Sequence, residues 1–63
     1  MSHYKIWIKH YINSEIYELK VTELKLFEGL RWNAIIDKAL SQLDITGDER
    51  KKTIIQSIYL IEH

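Results

Sequence analysis

The 63-residue sequence predicts an α+β fold of order ββαα, an N-terminal antiparallel β-hairpin over residues 4–21 followed by helices over residues 23–43 and 48–62. Three observations carry this reading. Residues 4–21 hold two alternating runs rich in β-branched and aromatic types, the pattern of half-buried strands. The stretch after Thr22 is rich in Leu, Glu, Lys and Ala, and no proline interrupts it, which favours a helix. Near the end of the chain Ile54, Ile55, Ile58 and Ile61 recur at helical spacing.

The first strand reads Tyr-Lys-Ile-Trp-Ile-Lys-His-Tyr-Ile, with Tyr4, Ile6, Ile8, His10 and Ile12 on one face and Lys5, Trp7, Lys9 and Tyr11 on the other. The second covers residues 15–21, and Asn13-Ser14 between them suits a two-residue turn because Asn tolerates positive φ. A two-residue loop fixes the register. It pairs Lys9 with Glu18, Ile8 with Leu19 and Trp7 with Lys20, which puts Ile6, Ile8, Tyr17, Leu19 and Val21 on a core face. A rival, mainly α reading takes Ser14 as an N-cap and residues 15–28 as a helix closed by Gly29, since Ile16, Tyr17, Val21, Leu24 and Phe27 span an arc of about 140°.

Thr22 is the expected N-cap of the helix over 23–43, whose apolar face moves from Phe27, Leu30 and Ala34 to Trp32, Ile35, Ile36, Ala39 and Leu43. Two packing partners follow from that shift. Residues 44–48, Asp-Ile-Thr-Gly-Asp, are the loop before the last helix, and Asp48 and Glu49 suit its N-terminus.

Size and composition narrow the functional classes. A chain this short forms one domain with a marginal core, which disulfides, a metal or a partner usually supplement. It contains no cysteine, and His3, His10 and His63 are too scattered for a structural zinc site, so neither a metal nor a cofactor is expected. With 46% apolar residues, self-association as a homodimer is the remaining route. Nine acidic and nine basic residues cancel, so no net field draws the chain to nucleic acid or lipid. The apolar runs are too short to span a membrane and the N-terminus lacks a signal peptide, which predicts a cytoplasmic protein.

No catalytic constellation is present. Ser2, Ser14, Ser41 and Ser57 lie in no recognisable elbow, and the pairs Glu15 with Glu18 and Asp48 with Glu49 read as surface or helix-end charge, so the chain is expected not to be an enzyme and no small-molecule substrate is evident. His10, opposite Tyr17, is the histidine best placed to be partly buried, which reads first as a structural imidazole sharing a hydrogen bond with a neighbour and only second as a proton switch.

The residues left over lie on the hairpin's outer face: Lys5, Trp7, Lys9 and Tyr11, with Lys20 beside Trp7, and Ile16 opposite Tyr11. Apolar anchors in a basic rim suit docking on a larger protein, and cations interleaved with aromatic rings also suit single-stranded nucleic acid. A second basic cluster is Arg50-Lys51-Lys52. The expectation is therefore a small homodimeric regulator or inhibitor, of the kind mobile elements and phages encode, that docks through Lys5, Trp7, Lys9, Tyr11, Ile16 and Lys20. The alternative is a dimeric nucleic-acid-binding regulator using the same face.

Overall fold

Both hairpin strands form, and they run further than the alternation suggests. In a computed structural model that describes residues 2–27 and 29–62, β1 spans Ser2–Tyr11 and β2 spans Tyr17–Leu26. Helix α1 covers Trp32–Gln42, a 3-10 helix covers Gly47–Lys52, and β3 covers Thr53–Glu62. The molecule is a small α+β fold. Its three antiparallel strands lie in the order β2-β1-β3, so β1 is central and pairs with both others.

The hairpin register differs by one residue from the expected one. Tyr11 stands opposite Tyr17, so Trp7 faces Val21, Ile8 faces Lys20 and Lys9 faces Leu19. The cause is at the turn. Asn13 does not sit in a two-residue loop: its Oδ1 accepts hydrogen bonds from the N–H groups of Glu15 (2.8 Å) and Ile16 (2.9 Å), and Ile12 N–H donates to the Ile16 carbonyl at 2.8 Å. Asparagine makes such a side-chain turn readily, and it widens the connection to residues 12–16. Because strand side chains have period two, this single slip moves every residue of β2 to the opposite face.

Thr22 and residues 23–26 belong to β2 and not to a helix start. Thr22 is buried in the sheet, where Gln42 Nε2 donates to its hydroxyl at 2.5 Å. The chain turns at Gly29, whose φ of +84° is a backbone state that glycine reaches without strain, and α1 begins only at Trp32. The expected helix over 23–43 is thus half strand and turn. The all-helical reading of 15–28 fails for the same reason, with Glu28 itself outside the described residues.

The C-terminal end of α1 is closed by a Schellman motif. Ile45 N–H donates to the Leu40 carbonyl at 2.9 Å and Asp44 N–H to the Ser41 carbonyl at 3.1 Å, with Asp44 at a φ of +59°. Leu40 and Ile45, the apolar pair this motif brings together, are both buried.

The largest departure is at the end of the chain, where residues 53–62 form β3 instead of a helix. Its register on β1 shifts twice, between Tyr4 and His3 and between Ile8 and Trp7, so that Gln56 and Ile61 are bulged out of the ladder. Each bulge inserts one residue into the period-two alternation. As a result Ile55, Ile58 and Leu60 fall on one face and Ile54, Ser57 and Tyr59 on the other, so the apparent helical stripe Ile54, Ile55, Ile58 and Ile61 is divided between both faces and a bulge.

α1 packs across β2 on one side of the sheet. The core there consists of Ile6, Ile8, Leu24, Leu26, Ile35, Ala39, Leu40 and Ile45. Ile6 and Ile8 are wholly buried, each stabilising the fold by about 1.5–3 kcal/mol relative to exposure. Arg50 clamps the 3-10 helix onto α1: its guanidinium donates to the Ile45 carbonyl at 3.2 Å, to Ser41 Oγ at 3.0 Å and to Asp37 Oδ1.

Candidate functional site

Among the described residues no second layer covers the other side of the sheet. β1 places Lys5, Trp7, Lys9 and Tyr11 on this outer face, as their alternation predicts. The one-residue slip adds Tyr17, Leu19 and Val21 from β2, which the expected register had assigned to the core, and they are 44%, 47% and 42% exposed. β3 adds Ile54, Ser57 and Tyr59. Trp7 therefore sits at the middle of the face, flanked by Val21 on one strand and Ser57 on the other.

Two of the six expected contact residues lie elsewhere. Lys20 pairs with Ile8 and belongs to the helix side, so the cation over Trp7 is Lys5, at 5.3 Å from the ring centre. Ile16 is in the hairpin loop and exposed. Lys9 is held similarly, 4.9 Å from the ring of Tyr17, which in turn packs on Tyr11 at 5.3 Å between centroids. Lysines stacked on the protein's own rings keep their stems flat on the sheet and leave the ammonium groups at the surface.

The face has relief as well as chemistry. A groove of about 440 Å³ lies on it, lined by Lys5, Trp7, Leu19, Ser57, Tyr59 and the bulged Gln56. A more apolar hollow of about 350 Å³ lies between the hairpin loop and the end of the 3-10 helix, with Tyr11, Ile12, Ile54, Lys51 and Lys52 in its lining. Neither holds an acid and base pair. Among the described residues no group of three His, Cys, Asp or Glu side chains is placed to bind a metal ion.

The opposite end of the face is a charged border. His3 Nε2 lies 3.0 Å from Glu23 and its Nδ1 3.7 Å from Glu62, so one imidazole spans from β2 to β3. Nothing in the sequence marks this trio, because its members are brought together only by the strand order. His10, expected opposite Tyr17, instead meets Glu49 of the 3-10 helix at 3.1 Å, and His63 is outside the described residues. The hydrogen bond from His10, with Lys52 3.4 Å away, holds the Glu49 carboxyl below the usual carboxylate range.

The triplet Arg50-Lys51-Lys52 does not form one patch. Arg50 is turned inward to Asp37, Lys51 is 3.8 Å from Asp48, and Lys52 is paired with Glu49. No helix among the described residues is long and apolar enough to cross a membrane. No protein-family model matches the chain, and comparison with curated proteins and with solved structures likewise returns no match.

Proposed function

We propose that this chain is a non-catalytic interaction module, a small regulator or inhibitor that docks on a larger protein through the outer face of its sheet. The observation that carries this reading is the open sheet face itself. Leu19, Val21, Ile54 and Tyr59 are each more than 40% exposed around Trp7 on one continuous surface. A contiguous apolar patch of this kind on a small chain marks a contact surface.

The partner suited to it offers an apolar or aromatic side chain to the groove beside Trp7 and Tyr59, with acidic neighbours for Lys5 and Lys9. Trp and Tyr in a part-buried groove are the residue types that dominate binding energy, and lysines at the rim mainly steer approach.

The test is affinity capture from the native host with a nuclease control, followed by a Trp7→Ala, Tyr59→Ala double variant. The variant is expected to retain the far-ultraviolet signature of the fold and to bind the captured protein at least about tenfold more weakly, which is 1.4 kcal/mol. A folded double variant that binds as well as the parent refutes the reading.

A second reading, single-stranded nucleic acid, is favoured by one specific observation, the alternation of Lys5, Trp7, Lys9 and Tyr11 along a central strand. It is the weaker of the two because both lysines already stack on rings of the chain and Lys5 stands opposite Glu23. Salt separates the two. A phosphate-dominated complex loses affinity steeply between about 50 and 200 mM salt, and an apolar protein contact does not.

A further inference from the structure

Among the described residues β2 pairs only with β1, which leaves its other edge without a strand. Ile12 N–H donates to the Ile16 carbonyl, and in an antiparallel ladder this fixes the parity of the whole hairpin. Even-numbered residues of β2 bond to β1, and the N–H and C=O groups of Tyr17, Leu19, Val21 and Glu23 point away from it. Gln42 agrees independently, since its Nε2 reaches over the edge of the sheet to donate to the Glu23 carbonyl at 2.9 Å. That contact occupies the edge at Glu23, and beyond it the groups of Tyr17, Leu19 and Val21 remain open.

This open segment reads Tyr17-Glu18-Leu19-Lys20-Val21. Laid antiparallel on itself about Leu19, it sets Leu19 against Leu19, Tyr17 against Val21 and Glu18 against Lys20. All three narrow pairs of that arrangement fall on the residues whose backbone groups point outward, and each such pair exchanges both N–H···O bonds. Apolar and charged partners are then matched across the strands on both faces. Among the described residues neither Glu18 nor Lys20 takes part in an ion pair within the chain. The regular, bulge-free β2 is also long for an exposed edge, whereas edges are ordinarily blunted or covered.

We propose that the occupant of this edge is a second copy of the chain, joined β2 to β2 about a twofold axis at Leu19 to give a continuous six-stranded antiparallel sheet. The zero net charge opposes no such association. The pairing leaves the outer face uncovered and does not depend on the docking role given to it. It also brings two outer faces side by side on one surface.

The experiment is sedimentation equilibrium at micromolar concentrations together with amide hydrogen exchange as a function of concentration. The parent is expected to have twice the monomer mass, with exchange at Tyr17, Leu19 and Val21 slowing as concentration rises and exchange at Lys25 unchanged. Glu18→Lys and Lys20→Glu singly are each expected to weaken the dimer about tenfold, because the twofold axis turns two attractive pairs repulsive. The double exchange E18K with K20E restores opposite charges and returns the dissociation constant to near the parent value. A monomer throughout, a dimer whose edge amides do not respond to concentration, or protection of those amides only by a different protein would each overturn the proposal.

Discussion

Gln42 ties the end of α1 to the edge of the sheet, and the cost of removing it can be worked from its two contacts. One acceptor, the Thr22 hydroxyl, is in a residue only 6% exposed; the other, the Glu23 carbonyl, belongs to an exposed residue and lies at the sheet edge, where water can replace the amide. Gln42→Ala therefore leaves one buried polar group unpaired, at about 1–2 kcal/mol. For a domain of this size that lowers the melting temperature by about 4–16 °C. Thr22→Val removes the hydroxyl while keeping the shape. In that background Gln42→Ala is expected to cost less than about 0.5 kcal/mol, a coupling near 1 kcal/mol in the double-mutant cycle. Urea denaturation with a common slope measures all four species. Additive single-mutant effects would show that Gln42 stabilises only the exposed edge and that the buried hydroxyl is satisfied without it.

Two further expectations concern the loop between α1 and β3. Asp44 occupies the left-handed position of the Schellman motif, where glycine is preferred, so Asp44→Gly is expected to stabilise the fold by about 0.5 kcal/mol by relieving the side chain's backbone strain. A lower denaturation midpoint in that variant would contradict the assigned cap. Glu49 is held below the ordinary carboxylate range by His10 and Lys52, and the sign follows from that lowering. Its contribution is present above the unfolded value, about 4.3, and fades as pH falls through the lower folded value. Thermal melts from neutral to acid are therefore expected to show Glu49→Gln less stable than the parent at neutral pH, with the gap closing in acid. A gap that does not change with pH would remove the ion pair from the account.

How much of this was legible in the sequence differs from element to element. The hairpin was legible, because period-two alternation needs only the local chain. Its register was not, since β2 carries apolar residues at Tyr17, Leu19 and Val21 and then changes parity to Leu24 and Leu26. Either face of that strand could have been the inner one. The choice was made by Asn13 at the turn and by α1, which buries Leu24 and Leu26. The second half of the expected long helix was correctly read: Ile35 and Ala39 are buried and Ile36 and Leu43 pack against them, though Trp32 stays exposed. β3 was hidden by its own bulges, which break the alternation that would have marked it. For the candidate site, Lys5, Trp7, Lys9 and Tyr11 were found from one strand alone. Val21, Ser57 and Tyr59 could be found only once the strand order was known.

The bulges at Gln56 and Ile61 also decide how far this sheet can grow. A flat sheet with two regular edges is a template at both ends, and strand addition then has no natural stop. Here, among the described residues, β2 alone offers an unbroken edge ladder, and the proposed twofold pairing would consume that edge on both copies at once. The remaining ends of that sheet would be two β3 strands, each interrupted by bulges at Gln56 and Ile61. Growth by strand addition would then end after that one proposed pairing, a stop set by bulges in a chain that holds no proline.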